Sequence, residues 1–479
     1  MVDKIDMLIG NHDVTGNSYT NIHDPGRLTD VAAQVAVGST RHVDAAVSAA
    51  YTAYLQWCKM GTDERIVRLL AAAQALEEKA DELSVILVKE QGMLHRDTRR
   101  DIAAGIRIIR NTVELAAAFL EPERYEDQES WISIEKAPRG VVAAIVPWNA
   151  PMVLTMSKVA PALVTGNTVV VKPSPFAPIA VTMALKTMAA FFPPGAINVV
   201  LGEGDVGEAL SRHPTVMKIA FTGGTHTGKQ IMANASATVK NVTLELGGND
   251  PAIVLDDANV ADIIPKLRQA VLLRSGQACY AVKRIYVPDT IYESFFEQMC
   301  ESVNELKVGY GFNEQATLSP VNNKNQFVRV RELIERAKKS QATVKELGVK
   351  LEPDQWENGY YLLPTVIGHV EPTSEIVTCE QFGPVIPIIS YQTEEQVVRM
   401  ANNTEFGLTA SVWSQDPERA LKIARQIDAG TTFINSHSRT SLGDKVMPFG
   451  GVKQSGIGRT WTEVGLAEYI EYVAVSLKK

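Results

Sequence analysis

The sequence predicts an α/β protein of two domains carrying a pair of extra strands, and three observations predict it. Short β-branched runs alternate with amphipathic helical stretches, a second alternation of the same kind follows, and two strand-like segments belong to neither. A chain of 479 residues is long enough for two to four domains with sizeable cores. At 45% hydrophobic and 21% charged residues it has the make-up of a folded globular chain, which excludes disorder and fibrous repeats. Lys plus Arg total 47 against 55 for Asp plus Glu, a net charge of -8, so the chain lacks the basic field that coating a nucleic acid requires.

Residues 41–120 read as helices: VDAAVSAAYTAYLQW and ERIVRLLAAAQALEEKADELSVILVKE space apolar residues by three and four, with charges on the opposite face. From Arg139 the runs GVVAAIVPW, NTVVVKPS, AINVVLGEG and KIAFTGG read as strands. Helical stretches such as PIAVTMALKTMAAFF and DVGEALSRH separate them, which is the pattern of βαβ units around a parallel sheet. The second alternation runs from LELGGNDPAIVLDD through KRIYVPD, TVIGHV, PVIPIISY, ASVWS and TTFIN, with ESFFEQMCESVNELK and QFVRVRELIERAKK as helices. WISIEKAPRG and the C-terminal LAEYIEYVAVSLK are the orphan strands, placed either across a subunit interface or against the chain's own domains.

Cys58, Cys279, Cys300 and Cys379 are widely spaced without a CxxC pair, so neither a disulfide framework nor a thiolate zinc site is expected. The eight histidines are scattered without a paired-ligand motif, and no metal is expected. The N-terminal MVDKIDMLIGNHDVTGN lacks the basic start and long apolar stretch of a signal peptide, and no apolar run approaches the ~20 residues needed to span a bilayer. The expectation is a soluble cytoplasmic protein with no membrane or nucleic-acid partner.

Several local motifs have two readings each. Gly202, Gly204 and Gly207 form a GxGxxG between a strand and a helix, either a diphosphate loop or a plain tight turn. Gly223, Gly224 and Gly228 lie in a second strand-to-helix turn, where bare backbone N–H groups can approach a diphosphate. Lys172 ends a strand, as a donor to a ribose or phosphate or as an ordinary exposed lysine. Glu245 ends another before two glycines, as a general base or as a solvated charge. Cys279 in RSGQACYA is a structural thiol or an accessible nucleophile, and Asn149 in PWNAP is an oxyanion donor or a helix cap.

Taken in order, PWNAP, GNTVVVKPS, FTGG, LELGG, GQAC, EQFGPV, NNTEFGLTASV and MPFGGVKQSGIGR, spanning residues 147–459, strongly resemble the aldehyde dehydrogenase superfamily. The resemblance implies a Rossmann-like cofactor domain, an α/β catalytic domain and a small β oligomerisation element. Residues 1–120 and 140–246 would form the first, 247–445 the second, and 121–139 with 460–479 the third. It further implies Cys279 as nucleophile, Glu245 as general base, and Asn149 with the backbone N–H of Cys279 as the oxyanion hole. NAD would lie along Trp148, Lys172, Ser174, Pro175, Gly223, Gly224, Glu245, Leu246, Gly247, Glu380 and Phe382, with Lys172 and Glu380 on the two riboses and Phe382 beside the nicotinamide. The diphosphate would lie by the FTGG turn and not at Gly202.

Three departures from the family pattern bear on specificity. Gly224 stands where a serine is common, and Pro175 where many NAD-preferring members carry glutamate; losing that carboxylate leaves NADP open, while the lack of an added arginine to attract a 2'-phosphate favours NAD. Ala150 and Ser157 replace bulkier residues, implying a wide tunnel for a bulky, aromatic or terpenoid-like aldehyde. The loop NSHSRTSLGDKVMPFGG holds His437, Arg439 and Lys445, read either as a substrate-carboxylate cluster or as a solvated loop containing Asp444. Glu245 argues for hydrolysis of the acyl intermediate over transfer to CoA. The expected partners are a small aldehyde and further copies of the chain in a dimer or tetramer; the alternatives are a CoA-acylating semialdehyde dehydrogenase and a non-catalytic structural homologue.

Overall fold

A computed structural model describes residues 3–479; Met1 and Val2, the first two residues of the N-terminal segment read above, lie outside it. Two large sheets dominate it. The first has five parallel strands in the order Asn241–Glu245, Val216–Thr222, Val141–Ile145, Thr168–Lys172, Ile197–Val199. Their near-continuous apolar sequences are what a sheet covered on both faces requires: every residue of VVAAI and TVVVK is buried. Met7–Ile9 with His12–Val14 extends one edge and Gly456–Ile457 the other, both antiparallel.

The register of this sheet gathers its functional segments. Ile145 pairs with Lys172, Phe221 with Ile145, and Thr222 with Glu245, so the loops that follow all leave from one carboxyl edge. That edge is where open α/β sheets bind ligands.

The second sheet holds six parallel strands in the order Thr365–Gly368, Val385–Tyr391, Val282–Pro288, Asp250–Val254, Thr409–Trp413, Thr431–Ile434, with Thr343–Glu346 antiparallel at one edge. Cys279, Glu380 and Phe382 lie just before its strands, and Asp250 and Thr409 begin two of them. The carboxyl edge of one sheet thus faces the amino edge of the other across the site.

Residues 41–120 fold as expected, into the helices Thr40–Trp57, Thr62–Glu78, Ala80–Gln91 and His95–Phe119. The last buries Ile102, Ile106, Ile109 and Val113 and packs on helix Pro151–Val164. Gly105 permits that approach, since a Cβ there would lie 3.2 Å from the Met152 carbonyl oxygen. Glu90, fully buried, accepts from the backbone N–H groups of Ile179 (2.6 Å) and Ala180 (2.8 Å), so its carboxylate caps the helix Ile179–Ala189.

The orphan segments find each other. Ile470–Lys478 pairs antiparallel with all of Ser130–Pro138, and Glu123–Glu126 completes a three-stranded sheet. Two hairpins have no counterpart in the sequence-based expectation: Met7–Ile9 with His12–Val14, and Ser18–Asp24 with Arg27–Val37, whose turn reaches the second half of the chain. There Tyr310 donates to Asp24 (2.7 Å) and Arg27 pairs with Glu352. Among the described residues no helix is long and apolar enough to cross a membrane.

Candidate active site

Cys279 sits on a turn that the surrounding structure holds from several sides. The turn is entered through Arg274 and Ser275 at φ 53° and 58°, then Gly276 at φ 78°. Only glycine fits at 276, because a Cβ would fall 2.0 Å from the Gly383 carbonyl oxygen. Asn149 Nδ2 donates to the Gln277 carbonyl (3.0 Å), Asn322 N–H to Gln277 Oε1 (2.9 Å), and Ser275 Oγ to the Ser319 carbonyl (3.0 Å). Lys283 Nζ, buried, donates to the carbonyls of Ala278 (2.7 Å) and Ala281 (2.9 Å) on either side of the thiol. Strain at the two left-handed residues is therefore offset by a dense set of contacts.

Arg274 ties this turn to the other side of the cleft. Its guanidinium donates to the Asn149 carbonyl (2.8 Å) and to Asp101 Oδ1 (2.9 Å), while Asp101 Oδ2 accepts from the Met152 N–H (2.9 Å). The ion pair is buried, with Asp101 fully so, and removal of either partner would strand a charge. Asn149 is held at its main chain by Arg274 and at its amide by Gln277, aimed at the segment that carries the nucleophile.

Glu245 ends its strand buried on the opposite wall. Its head abuts Gly450, where a Cβ would come within 3.0 Å of Oε1, so this glycine at φ 150° makes the carboxylate's room. Neither oxygen accepts a well-formed hydrogen bond among the described residues. Burial drives its proton affinity up, against the opposing pull of Lys158, Arg459 and Thr460. Lys158 is buried in turn, its ammonium donating to Thr222 Oγ1 (2.6 Å), and desolvation lowers its pKa while Glu245 and Cys279 oppose the shift. The Cys279 thiol is pushed up to about 12, first by burial and then by Glu380, Glu245 and Asp250, with Lys283 working against them. The resting site therefore holds a protonated thiol within electrostatic reach of a buried carboxyl that readily takes a proton.

The residues expected along a dinucleotide sit at or just after the carboxyl ends of strands in the first sheet and just before a strand of the second. Lys172 is buried, its stem lying along Gly207, where a Cβ would sit 3.5 Å from Cδ. Desolvation brings its pKa down to about 8, with Glu203 and Asp205 favouring the charged form. Gly224 caps helix Thr225–Ser236 with open space at its Cβ position, leaving that N-terminus bare for an anion. Glu380 Oε1 accepts from the Gly248 N–H (3.0 Å), and a Cβ at Gly247 would collide with Glu380 at 2.5 Å. Phe382, at φ 55°, meets Trp148 edge to face at 5.5 Å. The bare helix terminus, the glycine cradle and the buried lysine fit a dinucleotide. At Gly202 of the GxGxxG a Cβ would meet the Val206 side chain at 2.5 Å, while at Gly204, as at Gly224, it would meet nothing within 4 Å.

A cavity of about 330 Å³ leads to Cys279, lined by Asn149, Ala150, Leu154, Ser157, Tyr280, Phe433, Phe449 and Trp461 among others. The side chains of His437, Arg439 and Lys445 in the loop after Phe433 do not gather into one cluster. His437 is buried and donates through Nε2 to the Tyr280 carbonyl (2.8 Å), with burial lowering its pKa to about 4, so it is a neutral brace beside the nucleophile. Lys445 points to Glu114 (3.5 Å) on the surface. Only Arg439 lines the cavity. Asp101, Lys158, Arg274 and Lys283 escaped the sequence reading; the arginine beside GQAC was the one local signal.

The model of the aldehyde dehydrogenase family matches residues 14–475. The mitochondrial succinate-semialdehyde dehydrogenase of Arabidopsis thaliana is 35% identical over 466 residues, covering 96% of this chain and 86% of that protein. An aldehyde dehydrogenase from Bacillus cereus, solved as its NAD+ complex, superposes with a TM-score of 0.93 at 33% identity, covering 99% of this chain and 97% of that one. A betaine aldehyde dehydrogenase from Staphylococcus aureus in complex with NAD+ does so at 0.93 and 30%, covering 98% and 94%. The chain belongs to the aldehyde dehydrogenase family, NAD(P)-dependent oxidoreductases that act on aldehydes.

Proposed function

We propose that the protein oxidises a bulky or aromatic aldehyde to its carboxylic acid with NAD, through a thioester on Cys279 that Glu245 hydrolyses. The observation that carries this reading is Cys279 and Asn149 together on the wall of a largely apolar cavity, with Glu245 within electrostatic reach of the thiol. The Cys279 sulfur adds to the aldehyde carbon as its proton is released to solvent. Charge gathers on the former carbonyl oxygen, where the Asn149 amide and the Cys279 N–H donate; one such donor contributes roughly 3 kcal/mol. A bound nicotinamide supplies the acceptor for the hydride that leaves the substrate carbon. Glu245 then takes a proton from water, the oxygen adds to the acyl carbon, and the Cys279 thiolate departs.

Residues 1–120 and 140–246 are assigned to cofactor binding, 247–445 to catalysis, and 121–139 with 460–479 to oligomerisation. Lys172 and Glu380 take the two riboses. The four cysteines are all free, which supports a cytoplasmic setting. The experiment that tests the function is NADH formation by the purified protein across aliphatic, aromatic and terpenoid aldehydes: turnover of the larger ones supports the reading, and its absence with every aldehyde refutes it.

Cofactor choice follows from charge. Pro175 supplies no carboxylate, but Glu203 and Asp205 bring two toward Lys172, where they repel a 2'-phosphate. Wild-type protein is expected to prefer NAD. The double variant Glu203→Gln, Asp205→Asn should gain about tenfold in kcat/KM with NADP, relief of like-charge juxtaposition being the cause; an unchanged NADP rate would show that these carboxylates do not set the choice.

The C-terminal sheet supports self-association. Ile470–Lys478 is an edge strand, and Val473, Val475 and Leu477 share one face with side chains exposed. A long apolar edge of this kind invites pairing with a second copy. Val475→Lys is expected to lower the mass measured by light scattering from a dimer or tetramer to a smaller species, and a monomeric wild type would contradict the assignment.

A further inference from the structure

The surface of the tunnel is mostly apolar, yet part of it is supplied with hydrogen-bond donors that the protein itself does not use. Arg439 lies over the Trp461 ring at 4.4 Å and is largely buried. Its Nε donates to Asp444 Oδ1 (3.2 Å), and its Nη2 to the carbonyls of Gly443 and Met447. Its Nη1 is buried without a partner among the described residues, as are Trp461 Nε1 and Thr462 Oγ1. All three side chains line the tunnel that ends at Cys279. A guanidinium and an indole can only donate, so this set asks for an acceptor brought from outside. Charge points the same way. Arg107, half exposed at the tunnel wall, also faces Asp444 (3.6 Å), so two guanidinium groups share one carboxylate and a positive charge is left over. Arg274, the tunnel's other arginine, is neutralised by Asp101.

We infer that the tunnel selects aldehydes whose far end carries a carboxylate, received by Arg439 Nη1 with the Trp461 indole N–H and the Thr462 hydroxyl, while an apolar or aromatic spacer fills the walls between it and Cys279. This deepens the proposed function and rests on it. His437 and Lys445 take no part, since one is committed to the Tyr280 carbonyl and the other to Glu114.

The test compares 4-formylbenzoate with benzaldehyde and 4-methylbenzaldehyde as substrates, and terephthalate with benzoate as ligands by calorimetry. Wild-type kcat/KM is expected to favour 4-formylbenzoate by more than about tenfold, because a site with unspent donors rejects the analogue that cannot fill them. The ratio should fall to about one in Arg439→Gln and decline partway in Trp461→Phe, which keeps the ring and removes the N–H. Terephthalate should bind more tightly than benzoate and lose that margin in Arg439→Gln. A wild-type ratio near one, or a preference that survives both substitutions, overturns the inference while leaving aldehyde oxidation in place. Absence of turnover with every aldehyde defeats the proposed function instead, and the calorimetric comparison still decides the carboxylate site. The Trp461→Phe variant leaves the loop contacts of Arg439 intact, so the result does not hang on the folding of Arg439→Gln.

Discussion

Cys279→Ala abolishes aldehyde-dependent NADH formation, with kcat/KM reduced by at least about 10⁴-fold, the scale seen when a covalent nucleophile is removed. The size of the effect follows from the site's arrangement. Asn149, Gln277, Lys283 and His437 all orient the turn on which this sulfur is presented, and no other cysteine shares their cavity. Cys300 is packed in the core of the helix Tyr292–Asn304 and Cys58 ends a helix far from the groove in sequence, so Cys58→Ala retains full turnover. Isothermal titration of Cys279→Ala with NAD shows binding close to wild type, since the dinucleotide residues are contributed by other loops. Loss of NAD binding together with turnover would instead assign Cys279 a structural part.

Glu245→Gln separates the two halves of the reaction. Acylation proceeds once, giving a burst of about one NADH per active site, after which the steady-state rate falls by roughly 10² to 10⁴-fold because no base activates water. The glutamine fits the space beside Gly450 and removes a buried carboxyl whose raised proton affinity burial imposes, so folding is not the expected casualty. Rapid-mixing absorbance measures the burst, and hydroxylamine, which attacks thioesters unaided, should restore turnover. An unchanged steady state would point to acyl transfer onto an external thiol such as CoA, the chemistry that dispenses with this base.

In the sequence this site is a set of short segments at sheet edges, each open to two readings by itself and given a role only by the resemblance of the ordered motifs to one family. A strand that ends in a lysine, a glutamate before two glycines and a cysteine on a small-residue turn are local patterns, and the register that aligns them follows from parallel pairing. What holds those segments was not legible. Asp101 and Arg274 meet across 173 residues of sequence, and Lys283, though it donates to carbonyls only five and two residues before it, belongs to no motif that marks it. The left-handed backbone at Arg274, Ser275 and Phe382 carries no signature, since none of those residue types marks such a conformation. His437 was grouped with Arg439 and Lys445 as charge, whereas the fold sends the three side chains to three different places. The hairpin of Ser18–Asp24 with Arg27–Val37 does carry a local signal, the Asp24-Pro25-Gly26 turn between two runs of β-formers.

The central claim is that the substrate's carbon becomes bonded to Cys279. It is tested most directly by intact-protein mass spectrometry of Glu245→Gln mixed with NAD and an aromatic aldehyde, followed by peptide mapping. A single acyl adduct on the peptide containing Cys279 is expected, formed only when both NAD and aldehyde are present. No adduct, or one carried by Cys58, Cys300 or Cys379, would contradict it.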